Sequence, residues 1–246
     1  MTMTVTVYGE THMGLGKQEN QDRLLIGRQV CREGVAAGQL VQGIAALSDG
    51  VGGNPGGAEA AQFVADHLAG ERKVTRTLLE DLNAQLIAAA PPEKKTMAAA
   101  AAGLCFGSRG ITLFSVGNTR VYALLRGRYL KQLTTDDTTV ARLLALGQIT
   151  PAEAANHPRR SEITACFGGG DLAYFTPHVL DLTDGGYSAF LMTTDGIHDY
   201  VDLDTMEDLV AENWEDLTQM CKKLLEAARE NGSKDDASIL LCSVES

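Results

Sequence analysis

Four aspartates occupy the same kind of place in this chain. Asp22, Asp49, Asp195 and Asp235 each stand at the end of an apolar run, on its loop side, with glycine or small polar residues nearby. The pattern is clearest at Ile44-Ala45-Ala46-Leu47-Ser48-Asp49-Gly50-Val51-Gly52-Gly53, where a run that reads as a buried strand ends in a carboxylate. Glycine lets a main-chain carbonyl approach a ligand closely, so Asp49 and the Gly50 carbonyl are placed to hold a hard cation. Taken singly, each site competes with an ordinary Asp-Gly turn. Strand ends of packed sheets can converge, however, and unpaired carboxylates brought together must be neutralised. These loops offer oxygen ligands without His or Cys, which selects Mg²⁺ or Mn²⁺ over zinc. No nucleophilic Ser–His pair or reactive-cysteine motif is evident. Two ions sharing Asp49, about 3.5–4 Å apart, could activate a water for hydrolysis at phosphorus.

Composition narrows the class. At 246 residues, 44% hydrophobic and 22% charged, the chain can bury a substantial core without disulfides. Its net charge of −11 argues against a general nucleic-acid or anionic-membrane surface. No apolar run reaches the length of a membrane span, and Met1-Thr2-Met3-Thr4-Val5 lacks the regions of a signal peptide. The five cysteines are scattered without a CxxC pair, the usage of reduced thiols in a cytoplasmic protein.

The elements that must position the aspartates read as an α+β domain. Strands are expected around Val5 and Val7, over 23–26 and over 40–47, with 28–39 a polar connection. Asn54-Pro55-Gly56-Gly57 opens a helix with Ala61, Val64, Ala65 and Leu68 on one face. A second helix covers 77–90, with Leu78, Leu82 and Leu86 aligned. Ala98–Ala102 favours helix by propensity, yet Leu104-Cys105-Phe106 and the Gly107-Ser108-Arg109-Gly110 turn look like the end of a strand and a hairpin. Strands over 111–116, 120–126 and 129–133 continue it as an antiparallel meander. A helix covers 138–146, with Asp136 and Asp137 read as its capping pair. Thr150-Pro151-Ala152-Glu153 is a capping box for a short helix ending near Asn156. Irregular chain over 161–170 leads to strands over 174–182 and 187–192. An amphipathic helix over 214–229, with Trp214 and Cys221 in the core, precedes a last strand over 238–244.

The ordered set of short motifs is more specific than any one of them. Gly16-Lys17…Asn20-Gln21-Asp22, Ser48-Asp49-Gly50-Val51-Gly52-Gly53, Gly117-Asn118-Thr119-Arg120, Thr134-Thr135-Asp136-Asp137, Gly147-Gln148-Ile149-Thr150-Pro151, Thr194-Asp195-Gly196-Ile197-His198-Asp199 and Asp235-Asp236-Ala237-Ser238 span nearly the whole chain. In that order and spacing the chain resembles the bacterial-type metal-dependent protein phosphatases of type 2C, the PPM family. The resemblance implies a four-layer α-β-β-α sandwich over residues 1–246, two antiparallel sheets flanked by helix pairs, with a flap over about 136–170. It implies hydrolysis of phosphoserine and phosphothreonine in proteins by a metal-bridging water. Asp49 would bridge two ions, Mg²⁺ or Mn²⁺, the Gly50 carbonyl would complete the second site, and Asp195 and Asp235 would hold the first. Catalytic roles fall to Asp22, Asp49 and Lys17, with Lys17 contacting phosphate and Asp22 acting through bound water. Asn118, Asp199 and Asp236 lie beside the centre. The partners implied are phosphorylated proteins and a serine/threonine kinase in a signalling pair.

Four departures from the family pattern bear on this. Lys17 stands where an arginine is usual and lacks the bidentate fork. Asn118 stands where an aspartate helps hold a third ion, and an amide is a poorer ligand, so two ions are expected and the third site is weakened. Val51 replaces a histidine of many relatives, and Ala98-Ala99-Ala100 replaces Gly-Thr-Thr, which favours reading the alanines as strand. An alternative is a weakened or inactive relative that binds phosphoproteins as a regulator. Another is a phosphatase of small phosphorylated molecules. His157 and His198 read as structural.

Overall fold

Among the described residues, alternating inward and outward side chains in thirteen strands generate two antiparallel sheets packed face to face. The computed structural model describes residues 3–52, 55–108, 110–155, 157–170 and 174–245. Met1, Thr2, Gly53, Asn54, Arg109, Asn156, Asp171, Leu172, Ala173 and Ser246 lie outside the described residues. The strands are β1 (Thr4–His12), β2 (Asp22–Ile26), β3 (Gln29–Cys31), β4 (Gly34–Leu40), β5 (Gly43–Gly50), β6 (Ala98–Gly107), β7 (Gly110–Val116), β8 (Arg120–Leu125), β9 (Tyr129–Gln132), β10 (Phe167–Gly168), β11 (His178–Asp181), β12 (Ala189–Thr193) and β13 (Ala237–Glu245). The helices are α1 (Gly57–Leu68), α2 (Arg76–Ala89), α3 (Thr139–Ala145), α4 (Pro151–Ala155), α5 (Asp195–His198), α6 (Leu203–Glu212) and α7 (Leu217–Glu230). One sheet runs β4-β1-β13-β12-β8-β9; the other runs β11-β7-β6-β5-β2-β3, with β10 added on β6.

Three apolar layers hold the stack. Val7, Leu24, Leu47, Leu104, Phe190 and Leu240 fill the space between the sheets. Val64, Leu68, Leu79, Leu82 and Leu86 of α1 and α2 cover the outer face of the β5–β6 sheet. Val210 of α6 and Leu224 and Leu225 of α7 cover Tyr122, Leu191 and Leu241 on the other sheet. The result is the expected α-β-β-α sandwich.

Several local expectations change. The stretch over 28–39 contains the edge strand β3, three residues long, and most of the edge strand β4, whose two glycines and small side chains show no apolar run. Leu40 ends β4, and the strand expected over 40–47 is β5, which begins at Gly43. The inward row of α2 is Leu79, Leu82 and Leu86, with Leu78 only partly buried. The meander is broken: β6 and β7 pair in one sheet, β8 and β9 in the other, and Gly117-Asn118-Thr119 crosses between them. Trp214 precedes α7 and is 38% exposed, lying against Gly127, where a Cβ would sit 3.3 Å from its ring. The helix α6 (Leu203–Glu212) is not among the expected elements, and α7 begins at Leu217 instead of Trp214. Thr138 caps α3, accepting from Ala141 N, so Asp136 and Asp137 are free for other partners. The Thr150–Glu153 capping box forms as expected, with Glu153 Oε2 2.8 Å from Thr150 N.

The alanine run is strand β6 in spite of its helical propensity, because tertiary pairing outweighs it. It lies between β5 and β7, and Ala99 and Ala101 pack under Ala60, Ala61 and Val64 of α1. Small side chains let α1 sit close to the sheet. Ala101→Leu should therefore overpack this layer and lower stability by about 2 kcal/mol in urea unfolding; an unchanged midpoint would contradict the packing described.

Candidate metal centre

The site begins with a cross-strand pair that is unfavourable on its own. Asp22 opens β2 and Asp49 lies near the end of β5, and the antiparallel register sets them directly opposite each other. Like charges so placed repel. Asp22 is buried, and its Oδ2 accepts from Thr194 Oγ1 at 2.9 Å and from Ser238 Oγ at 2.6 Å. Ser238 Oγ also lies 2.7 Å from Thr11 Oγ1, which accepts from Asn20 Nδ2 at 2.9 Å. Asn20 Oδ1 accepts from Asp22 N at 2.9 Å. Thr11, Thr194 and Ser238 come from the opposite sheet, so this network ties the two sheets together at the carboxylate. Sequence reasoning missed these three hydroxyls. The signal for Thr194 and Ser238 was their position beside the acidic motifs.

Asp195 and Asp235 arrive from the opposite sheet. Asp195 starts the one-turn helix α5 after β12, and Asp235 precedes β13. Burial, and then the charges of Asp195, Asp22 and Asp235, push the Asp49 carboxyl well above the usual range. Burial likewise raises Asp22 to about 6, opposed by its Ser238 hydrogen bond and aided by the charge of Asp236. Asp195 rises to about 7, from burial and then the charges of Asp235 and Asp199. Asn118, on the crossing turn, donates from Nδ2 to Asp195 Oδ2 at 3.1 Å. Its Oδ1 has no hydrogen-bond partner among the described residues.

Asp236, adjacent to the cluster, is a clamp. It is buried and accepts from Gly14 N at 2.8 Å, Gln21 N at 2.9 Å and Lys17 Nζ at 3.0 Å. It therefore holds both ends of the loop that carries Lys17. Lys17 also pairs with Asp235. Burial alone would lower the Lys17 pKa, but the hydrogen bonds to Asp235 and Asp236 outweigh it and the ammonium stays charged.

Two glycines are required by close approach. A Cβ on Gly50 would fall 2.4 Å from the Gly57 backbone at the start of α1, and one on Gly196 would fall 1.9 Å from the Asp236 carbonyl oxygen. Gly50 N is anchored on the Gln21 carbonyl at 3.1 Å, which places Gly50 beside the Asp22 loop.

The residues fit a hard cation in chemistry: acidic, partly desolvated oxygen donors that repel one another. Among the described residues, no group of three or more His, Cys, Asp or Glu side chains is arranged so as to hold a metal ion. The other nominated residues fall around the cluster. Asp136 takes a forked hydrogen bond from Arg120, with Nη2 to Oδ2 at 2.6 Å, and Asp137 accepts from Gly117 N at 2.9 Å. His198 is buried against Thr193 Oγ1 at 2.9 Å, a structural contact, and His157 accepts from Arg159 N. Asp199 is exposed on the wall of a cavity of about 450 Å³ between the cluster and the 136–170 segment, lined also by Asn118, Arg120 and Arg160.

The raised carboxyls carry a sign for stability. Between pH 4 and 7 these carboxyls hold more protons in the folded metal-free chain than in the unfolded one, so their contribution to stability falls as pH rises through that window. His198, held well below its ordinary 6.5 by burial, acts oppositely, costing stability as pH falls below 6.5. Comparing the wild type with Asp195→Asn cancels the histidine. In chelator, Asp195→Asn should gain about 2 kcal/mol on wild type in urea unfolding between pH 5 and pH 8. A difference that does not change with pH would contradict the assignment.

No family model matches the chain. The serine/threonine protein phosphatase PstP of Mycobacterium tuberculosis is 28% identical over 255 residues, covering 99% of this chain and 46% of its own length. The chain thus spans about half of that relative. The crystal structure of serine/threonine phosphatase Stp1 from Staphylococcus aureus superposes with TM-score 0.80 at 25% identity, covering 98% of this chain and 95% of that one. The catalytic domain of PstP in complex with 2 manganese ions superposes with TM-score 0.73 at 23% identity over 100% of both chains. In sequence, in its two-sheet sandwich and in the acidic motifs at its strand ends, the chain is similar to these bacterial serine/threonine phosphatases.

Proposed function

We propose that this chain hydrolyses phosphoserine and phosphothreonine in proteins, as one phosphatase domain whose 136–170 segment forms a flap beside the cleft. The observation that carries the proposal is the register that sets Asp22 opposite Asp49, with Asp195 near enough that it and Asp22 raise the Asp49 carboxyl and Asp22 raises that of Asp195. An arrangement this unfavourable is retained where a cation uses it. Asp49, the Gly50 carbonyl, Asp195 and Asp235 hold two divalent cations, Mg²⁺ or Mn²⁺, and the two manganese ions in the PstP catalytic domain support that count. When bound, such ions activate water and neutralise phosphoryl oxygens.

The chain's own groups do the rest. Lys17, anchored by Asp236, presents its ammonium at the rim, where it orients phosphoryl oxygens through charge without a bidentate fork. Asp22 is fixed by Thr194 and Ser238, so its acceptor position is set before substrate arrives. Asn118 contributes a neutral donor to Asp195 in place of a further carboxylate, which favours two ions over three. Val51 brings no titratable group, so proton delivery to the leaving oxygen falls to water.

The chemistry implies phosphoproteins and the serine/threonine kinase that makes them as partners, in cytoplasmic signalling. Among the described residues no helix is long and apolar enough to cross a membrane. Asp49→Asn should reduce Mn²⁺-dependent hydrolysis of a phosphothreonine peptide at least about 100-fold. Activity near wild type in that variant, or activity on small phosphate esters with none on the peptide, would contradict the proposal.

A further inference from the structure

A second polar cavity, of about 280 Å³, opens at the side of the sandwich where β9 and β11 end the two sheets. Its lining differs from everything near the cleft. Arg76, Ser115, Thr134, Thr135 and His178 supply a guanidinium, an imidazole and three hydroxyls, and no carboxylate lines it. In a chain of net charge −11, a cavity lined by these donors, with a carboxylate only behind it at Asp137, suits an anion in charge.

Ser115 strengthens this. Leu113, two residues earlier on β7, faces the apolar layer between the sheets, so Ser115 continues that inward row. It is 1% exposed, and its hydroxyl has no hydrogen-bond partner. A buried hydroxyl left unpaired is costly, and an apolar residue would serve packing better there.

The cavity is also wired to the acidic cluster. His178 Nε2 lies 3.0 Å from Asp137 Oδ1. Asp137 Oδ2 accepts from Gly117 N at 2.9 Å, and Asp137 N donates to Gly117 O at 2.9 Å. Asn118 follows Gly117 and donates to Asp195. The Asp137 carbonyl accepts from Thr164 N at 2.7 Å, which ties the same residue to the 136–170 segment. A ligand touching His178 thus bears on Asp195 through consecutive hydrogen bonds.

We propose that this cavity binds a phosphate group, free or on a small phosphorylated molecule, and that its occupancy changes the cation affinity of the acidic cluster. The fork of Arg76 and the hydroxyls match several phosphate oxygens at once. Leu180 and its aliphatic neighbours offer room for a short carbon skeleton. Binding stands independently of the phosphatase assignment; the coupling rests on the cation-binding part of it.

The test uses the full chain in chelator, which separates the cavity from any cation-dependent phosphate binding in the cleft. Inorganic phosphate and glycerol 3-phosphate are titrated calorimetrically into wild type, Arg76→Ala, Ser115→Ala and Lys17→Ala. Expected is a dissociation constant roughly fivefold or more weaker in Arg76→Ala and Ser115→Ala, with Lys17→Ala close to wild type. Binding of inorganic phosphate alone identifies free phosphate as the ligand, and tighter binding of glycerol 3-phosphate identifies a phosphorylated metabolite. No binding to wild type, equal binding to Arg76→Ala, or loss of binding in Lys17→Ala overturns the site. In a second arm, Mn²⁺ is titrated with and without glycerol 3-phosphate. A change in Mn²⁺ affinity of roughly fivefold in wild type, absent in Arg76→Ala, supports the coupling. Equal Mn²⁺ affinities with and without the phosphate overturn it, and Mn²⁺ failing to bind at all instead removes the assignment of the acidic cluster.

Discussion

The fold brings Asp22 and Asp49 face to face on adjacent strands, with Asp195 close enough to raise Asp49 and to be raised by Asp22. That repulsion is the constraint on which the rest of the site depends. A two-sheet sandwich can sustain it because the hydroxyls of Thr194 and Ser238 cross from one sheet to hold a carboxylate of the other, with Thr11 in contact with Ser238 behind them. The same strands that form the apolar interlayer through Leu24, Leu47 and Leu240 end in this acidic cluster. Core stability is thus opposed at one end by a cost that only a cation or a proton relieves.

Close backbone approach is the second theme. Gly50 against Gly57 and Gly196 against Asp236 bring loops nearer than any side chain permits. The alanines of β6 do the same for α1 above the sheet. Asp236 then joins the Gly14, Lys17 and Gln21 segments to the start of β13. Beside the cluster Lys17 brings a point charge paired with Asp235 and Asp236, and Asn118 brings a neutral amide that donates to Asp195.

Much of this was legible because strand-end acids with small neighbours leave a local trace. Asp22, Asp49, Asp195 and Asp235 sit at the expected strand boundaries, and the capping box at Thr150 is where the residues place it. What was not legible depends on pairing between distant segments. The edge strands β3 and β4 carry little periodicity of their own, and their existence follows from available edges on β2 and β1. The division of the 104–133 region between two sheets turns on one crossing turn, which no local pattern encodes. Asp136 and Asp137 look like helix caps until Arg120 and Gly117 come near them. Trp214 looks like core because its size suggests it, yet it closes a turn at the surface.

The measurement that bears most directly on the central claim is a crystal structure grown with Mn²⁺, with ions located by anomalous scattering at the manganese edge. The account predicts two manganese peaks flanking the Asp49 carboxylate, with the Gly50 carbonyl, Asp195 and Asp235 among the ligands and Lys17 displaced from Asp235. A saturated crystal with no peak at Asp49, or with manganese bound only elsewhere on the molecule, would contradict it.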